Sequence, residues 1–218
     1  MKTTILLVDT EFIDLATPFV YDLSYTIATL ENGVFEPLKI VGKVIKQVYD
    51  NKMLFATAYY ANKKPLYTSA LRRKVYKKDY YGRVMNSMKN DMEKYGVECV
   101  MGYNVGADIR AITFTAQQLG TANALDNIET IDLMPIVQNA ICDTMEYRQF
   151  AKANGLITEK GYIKTSVEAV AKYVYNKPDF VERHLGVSDN HHELELLNVS
   201  MRNGAKIETL PKQFFKSE

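Results

Sequence analysis

The sequence of 218 residues has a formal net charge of +1, with 47% hydrophobic and 24% charged residues, which is typical of one soluble globular domain. A near-neutral chain has no global field, so any nucleic-acid binding would need a local basic patch. The apolar run before Asp9 is too short for a signal peptide, and no apolar stretch reaches the roughly 18 residues of a membrane span. We therefore expect a cytoplasmic protein in which Cys99 and Cys142 are buried free thiols.

The first predicted element is a buried strand over residues 3–9, and two acids lie at its end. Asp9 and Glu11 are two positions apart, so in an extended chain both side chains point to one face. Neighbouring carboxylates repel each other unless a cation lies between them. The pair indicates a divalent-metal site, although a turn with a solvated charge pair would give the same motif.

The next elements predict an antiparallel meander. Strands are predicted over 20–28 and 35–44, and Asn32-Gly33 between them is a strong hairpin-turn signal. Residues 45–79 are rich in Tyr and Lys and predict an irregular, basic insertion.

Helices and strands alternate after residue 79. An apolar stripe over 84–95 predicts a helix that ends at Gly96. Two strands are predicted at 97–101 and 128–133, and helices at 107–119, 133–142, 144–154, from Val167 after a capping box at 165–168, and at 189–202. The pattern predicts an α/β fold, a mixed central sheet flanked by helices, in a single domain over 1–205 with a short polar tail at 206–218.

A second polar motif follows the strand at 97–101. Asp108 opens the next helix, so it would lie in the crevice beyond the strand end, where ligands bind in such sheets. Asn104 is one helical turn away and would lie nearby. Asp108 could instead complement the helix dipole, but that role gives no reason for Asn104.

The third motif pairs His184 with Asp189 on the loop before the last helix. Together with His191 and His192 they could form a transition-metal site. An exposed helix start accounts equally for His191 and His192, and we favour that interpretation. The four acids would instead suit magnesium or manganese.

In this order, Asp-x-Glu, Asn-x-x-x-Asp and His-x-x-x-x-Asp resemble the motifs of the DEDDh 3′–5′ exonucleases. That family shares the ribonuclease-H-like fold with the proofreading subunit of DNA polymerase III, ribonuclease T and oligoribonuclease. The resemblance covers residues 5 to about 197, and the stretch from 147 to 189 is similar to bacteriophage members. The poorest match is the stretch 45–79.

The resemblance implies a metal-dependent exonuclease that releases nucleoside 5′-monophosphates from the 3′ end of DNA or RNA. It implies two Mg²⁺ or Mn²⁺ ions about 3.5–4 Å apart, held by Asp9, Glu11, Asp108 and Asp189. His184 would be the general base for the attacking water, because imidazole titrates near neutrality.

The same resemblance implies contacts to the terminal nucleotide from Thr10, Phe12 and Asn104. Phe12 is equally compatible with a core aromatic. Glu193 lies one helical turn after Asp189, and we expect it to be exposed or to support a ligand rather than to bind metal.

A substrate track is predicted between residues 63 and 78, which carry seven cations and no acid. Arg72 and Arg73 are the candidate phosphate contacts, and nearby rings could stack on bases. A solvated charged face would have the same composition. The rings that interleave with these cations are Tyr59, Tyr60, Tyr67, Tyr76, Tyr80 and Tyr81.

Other functions are compatible with the sequence. A phosphodiesterase acting on short or cyclic signalling oligonucleotides could use the same site. Two others are a catalytically silent nucleic-acid-binding protein and a decoy that sequesters nucleotides, but neither gives a reason for a costly cluster of like charges. A structural or assembly role ranks lowest. The partner is expected to be nucleic acid, and a homodimer is compatible with the sequence.

Overall fold

The structure, a computed structural model, describes residues 3–216. Within that range, six strands form one sheet in the order β4-β3-β2-β1-β5-β6. The strands are β1 (Thr4–Phe12), β2 (Val20–Glu31), β3 (Val34–Ile45), β4 (Lys77–Asp79), β5 (Cys99–Gly102) and β6 (Glu129–Asp132). β2 is antiparallel to both β1 and β3, and the other neighbours are parallel. The predicted meander and mixed sheet are confirmed.

The hairpin between β2 and β3 turns at Asn32 and Gly33, with φ of +52° and +82°. Two successive positive φ values match the twist of the adjoining strands, which is why Asn-Gly is favoured there. The turn lies where the sequence predicts it.

Alternate residues of β1 face two different hydrophobic clusters. Leu6 and Val8 pack into one cluster, and Ile5 and Leu7 into the other, because side chains along a strand alternate between faces. Helices therefore cover both faces of the central strand.

Most of residues 46–72 are helical, so the prediction of an irregular segment is wrong. The segment forms α1 (Lys46–Tyr49), α2 (Lys52–Ala56), a short 3-10 helix (Ala61–Lys63) and α3 (Lys64–Arg72). Their buried side chains include Tyr49, Phe55 and Tyr67, which join the cluster that contains Leu6. The segment is part of the core on that face.

The remaining helices agree with the predicted ones to within a few residues. They are α4 (Tyr81–Tyr95), α5 (Gly106–Gln118), α6 (Leu133–Val137), α7 (Met145–Ala153), α8 (Val167–Val174) and α9 (Gly186–Arg202). A π-helical turn (Gln138–Cys142) extends α6, and Gly96 follows α4 at φ +63°. Cys99 and Cys142 are free and buried, as predicted.

The polar tail predicted at 206–218 packs against the domain as far as residue 216. The Ile163 N–H donates to the Phe215 carbonyl over 2.8 Å, and the Phe215 side chain is buried. Residues 1–2 of the predicted domain and 217–218 of the predicted tail lie outside the described residues. Every helix between residues 3 and 216 is too short or too polar to cross a membrane.

Candidate active site

Four acidic side chains meet where β1 ends beneath α9. Asp9 and Glu11 continue the face of β1 that begins with Ile5 and Leu7, and this face packs on Leu194 and other residues of α9. Asp189 and Glu193 lie one turn apart on α9 and share a helix face. The hydrophobic contact between β1 and α9 therefore brings the two pairs of acids together.

Gly186 allows the start of α9 to approach the sheet closely. A Cβ atom at this position would lie 2.7 Å from Ser24 Cβ and 3.1 Å from Asp9 Oδ2. The Gly186 N–H donates to Asp22 Oδ2 over 3.1 Å. A larger residue would push α9 away from Asp9.

Asp22 is a buried acid of β2 that the sequence analysis missed. Its carboxylate accepts hydrogen bonds of 2.8 Å from each of three hydroxyls, those of Ser24, Tyr67 and Tyr76. Burial raises the pKa of Asp22 to about 6, although these hydrogen bonds oppose the shift. Asp22 thus ties α3, β2 and the start of α9 together, and an acid within an apolar strand was the available signal.

Asp108 approaches from α5 on the opposite face of β1. Its Oδ1 accepts the Thr10 N–H over 2.9 Å and the Thr10 hydroxyl over 2.7 Å. Burial raises the pKa of Asp108 to about 7, against the effect of these bonds. Thr10 is itself buried and positions Asp108, and its contact with a nucleotide stays a prediction.

Glu11, His184 and Asp189 form a compact group whose ligand atoms lie within 4.8 Å of one another. His184 has φ of +50°, in the left-handed region that costs energy for any residue other than glycine. Its ring stacks on Tyr60, with centroids 4.6 Å apart. Burial and the nearby charge of Lys63 lower the pKa of His184, so the imidazole is neutral near pH 7 and can accept a proton.

The acidic cluster comprises Asp9, Glu11, Asp108, Asp189 and Glu193. Its carboxylates are strongly destabilised as anions. Burial raises the pKa of Glu11 to about 9 and that of Asp189 to about 8, with further contributions from neighbouring acids. Burial, followed by the charges of Asp108 and Asp189, raises the pKa of Asp9 well above its usual range. A bound cation would remove this cost, because opposite charge favours the ionised form.

Several buried oxygens of the cluster are available to bind a cation. Within residues 3–216, Asp9 Oδ2, Asp189 Oδ1 and Glu193 Oε2 have no hydrogen-bond partner. Carboxylate oxygens of this kind suit hard divalent cations such as magnesium or manganese. The donor set therefore fits the metals that the resemblance implies.

The alternative of a histidine-rich transition-metal site is not supported. His191 is exposed, and His192 Nδ1 lies 2.9 Å from the Tyr175 hydroxyl. Neither histidine joins His184 in a group with metal-ligand spacing among the described residues.

Glu193 is buried, which excludes the exposed alternative of the prediction and leaves that of an acid supporting a ligand. Its side chain is 3% exposed, and Oε1 accepts the Tyr103 N–H over 3.2 Å. Burial, followed by the charge of Asp108, raises the pKa of Glu193 well above its usual range. The spacing of four residues from Asp189 was the available signal.

Phe12 lines an apolar cavity of about 420 Å³ beside the acidic cluster. Glu11 lines this cavity and also belongs to the acidic cluster. Leu15 and Tyr59 line the cavity as well and are exposed to solvent. The full lining is Glu11, Phe12, Ile13, Asp14, Leu15, Tyr59 and Tyr60. A cavity with this lining can hold one flat aromatic group next to the carboxylates.

Asn104 is exposed and is held by the C-terminal segment and β6, and its contact with a nucleotide stays a prediction. Its side-chain oxygen accepts a hydrogen bond from Lys212, and its N–H donates to Asp132 Oδ1 over 2.8 Å. Asn104 has φ of +60° and shapes the loop between β5 and α5. Its contacts link this loop to the C-terminal segment.

The predicted substrate track is only partly accessible. Arg72 and Arg73 are exposed at the end of α3, and Arg72 lines a cavity different from that of Phe12. Stacking on bases is excluded for the buried rings, which are Tyr67, Tyr76 and Tyr81. Of the remaining rings, Tyr59 and Tyr60 border the cavity beside the acids.

No protein-family model and no curated protein sequence matches this chain. Its structure is similar to the nuclease domain of 3′hExo, a DEDDh family member solved with bound rAMP, with a TM-score of 0.58 and 8% identity over 96% of this chain and 97% of that one. This likeness establishes the fold, so the predicted ribonuclease-H-like α/β architecture is confirmed.

Two further exonuclease structures are less similar. Exonuclease X in complex with 5′ overhanging duplex DNA has a TM-score of 0.48 and 14% identity, over 94% of this chain and 96% of that one. E. coli Exonuclease I in complex with a dA16 oligonucleotide has a TM-score of 0.46 and 12% identity, over 90% of this chain and 40% of that one.

Proposed function

We propose that this protein is a metal-dependent 3′–5′ exonuclease of the DEDDh type, which hydrolyses DNA or RNA from the 3′ end and releases nucleoside 5′-monophosphates. The observation that carries the proposal is the grouping of Glu11, Asp189 and His184 within 4.8 Å. The fold shared with the 3′hExo nuclease domain supports the same activity.

The acids would hold two Mg²⁺ or Mn²⁺ ions, with Asp9, Glu11, Asp108 and Asp189 as the ligands. When bound, these ions supply an activated water and stabilise charge on the leaving 3′ oxygen. The unpartnered Oδ2 of Asp9 and Oδ1 of Asp189 are in keeping with this role.

His184 would take the proton from the attacking water. Its lowered pKa, caused by burial and by Lys63, keeps the ring neutral and able to accept a proton at pH 7. Tyr60 holds the ring by stacking, and Glu11 lies within reach of the same centre. Lys63 also adds a positive charge near Glu11 and Asp189, which would attract a substrate phosphate.

The apolar cavity would receive the terminal base. Phe12 and Tyr59 offer aromatic surfaces to a base, and such stacking tolerates any base. Because Glu11 borders both the cavity and the acidic cluster, a base in the cavity would place its phosphate near the carboxylates.

The test is an assay with 5′-labelled DNA and RNA oligonucleotides in magnesium, manganese or chelator. We expect a ladder that shortens from the 3′ end, with mononucleotide products, in either metal but not in chelator. Asp9→Ala and His184→Ala should abolish or strongly reduce it. His191→Ala is the matched control, because that histidine is exposed outside the cluster, and it should retain activity.

Three results would contradict the proposal: no cleavage in any metal, internal cleavage, or activity that survives Asp9→Ala. Dinucleotides and cyclic dinucleotides belong in the same assay. If they are the only substrates cleaved, the protein is a phosphodiesterase for signalling oligonucleotides that uses the same site. Binding without cleavage would indicate a silent nucleic-acid-binding protein.

A further inference from the structure

Glu193 has a carboxylate oxygen that protein groups leave unpaired. One oxygen, Oε1, accepts the Tyr103 N–H over 3.2 Å. The other, Oε2, is inaccessible and has no hydrogen-bond partner in the part of the chain that the structure describes. An unpaired buried carboxylate oxygen is costly, so an additional group outside the protein chain is expected to compensate for it.

The position of Glu193 on α9 complements that of Asp189. Asp189 lies with Glu11 and His184, within 4.8 Å of their ligand atoms. Glu193 is one turn further along the helix, and its charged neighbours are led by Asp108. Asp9 has both α9 acids among its own charged neighbours. Asp189 and Glu193 therefore lie on one face of the helix.

The backbone around Glu193 holds its side chain in this place. The Tyr103 N–H that binds Oε1 belongs to the loop after β5, which leads into α5 and Asp108. On α9, the neighbouring Leu194 packs into the hydrophobic cluster against β1. Glu193 is 3% exposed, so bulk solvent does not supply a hydrogen-bond partner to Oε2.

We propose that Glu193 is a fifth carboxylate of the metal centre, and that its unpaired Oε2 is the oxygen that would contact a bound cation. This inference rests on the proposed function, because it requires divalent cations at the centre. Five carboxylates carry more negative charge than two divalent cations neutralise. The centre therefore binds Mn²⁺ before nucleic acid arrives, rather than waiting for substrate phosphates to complete it.

The test is titration of Mn²⁺ into the full-length, metal-free protein without nucleic acid, followed by calorimetry and by the electron paramagnetic resonance of free Mn²⁺. Glu193→Gln keeps the size of the side chain and an oxygen for the Tyr103 N–H but removes the charge. We expect it to weaken Mn²⁺ binding about tenfold or more, or to remove one bound equivalent. Glu193→Asp, which keeps the charge on a shorter side chain, should lose less.

The matched control is Glu195→Gln, which removes a charge from the same helix outside the acidic cluster. It should bind Mn²⁺ as the wild type does. The rise in melting temperature on adding Mn²⁺ is a second measurement, and it should shrink in Glu193→Gln but not in Glu195→Gln.

The possible results separate this inference from the proposed function. If the wild type binds Mn²⁺ and Glu193→Gln binds it equally well, the inference is overturned and the proposed function stands. Glu193 would then be a protonated acid that fills space. If the wild type binds no Mn²⁺ without nucleic acid, the inference is overturned, whereas the proposed function is decided by the cleavage assay, in which substrate phosphates can complete the metal site. If Glu193→Gln does not fold, Glu193→Asp decides, and unchanged binding in that variant overturns the inference.

Discussion

Tyr60 and His184 stack with their ring centroids 4.6 Å apart and their planes inclined by 16°. Lys63 Nζ lies 4.1 Å from the centroid of Tyr60 and donates to the Arg183 carbonyl over 3.0 Å. These contacts tie the loop before α9 to the segment before α3. The strained φ of His184 requires such support from outside the loop.

Removing the Tyr60 ring should therefore slow the chemical step. In Tyr60→Ala we expect a single-turnover rate about ten- to a hundredfold lower, because a base displaced by about 1 Å loses rate on this scale. Tyr60→Phe keeps the stacking surface and should remain close to the wild type. Equal losses in both variants would show that the hydroxyl, and not the stacked ring, is required.

Gly186→Ala should destabilise the protein and weaken its response to metal. The added Cβ atom would lie 2.7 Å from Ser24 Cβ, and overpacking of this kind costs about 1–3 kcal/mol. The measurement is urea unfolding with and without Mg²⁺. The matched control is Gly106→Ala, where a Cβ atom meets nothing within 4 Å. Similar effects of the two substitutions would contradict the close approach of α9 to Asp9.

The metal-free protein should lose stability as the pH rises from 6.5 to 9. Burial is the main cause that raises the pKa of Asp108 to about 7, of Asp189 to about 8 and of Glu11 to about 9, whereas unfolded carboxyls titrate near 4. Between these values the folded state binds more protons than the unfolded state, so the free energy of unfolding falls with pH.

Urea unfolding in chelator and in Mg²⁺ at several pH values between 6.5 and 9 measures this effect. Bound Mg²⁺ favours the ionised carboxylates, so it should raise the stability most at pH 9. The lowered pKa of His184 acts in the opposite direction, but chiefly below this range. A metal-free stability that rises with pH would contradict the clustering of the acids.

Arg72→Ala combined with Arg73→Ala should weaken nucleic-acid binding and flatten its dependence on salt. Each lost phosphate contact is expected to reduce the slope of log affinity against log salt by about 0.7–0.9. Fluorescence anisotropy measures this slope in a series from roughly 50 to 300 mM NaCl, over which exposed charges become more strongly screened. The variants are made in a His184→Ala background so that the nucleic acid is not cleaved during the measurement.

The control for charge alone is the double substitution Lys89→Ala and Lys94→Ala, which removes two exposed cations from α4. We expect this control to bind as its parent does. If the arginine variant shows the same affinity as its parent at every salt concentration, residues 72 and 73 are only a solvated face.

The fold could be predicted where local signals are strong. The Asn32-Gly33 turn, the apolar stripe of α4 and the glycine at residue 96 each mark an element on their own. The helices between 46 and 72 gave no such signal, because those of four to nine residues span too few turns to show a period. The tyrosines of this segment were predicted to be accessible to bases because they alternate with cations, although Tyr67 is 0% exposed.

The candidate site was predictable where spacing along one element decides it. The two-residue spacing of Asp9 and Glu11 gives a shared strand face without any knowledge of the fold. The partners of Asp22 and Thr10 are long-range, since Gly186 and Asp108 reach them only after folding. The roles of these two residues therefore could not be read from the sequence.

β1 and α9, the first strand and the last helix of the described residues, supply opposite walls of the acidic centre. Asp9 and Glu11 belong to β1, whereas the α9 acids follow all six strands along the chain and are synthesised after them. A nascent or prematurely terminated polypeptide therefore cannot assemble the cluster. If the protein has the proposed nuclease activity, that activity requires the whole segment from β1 to α9.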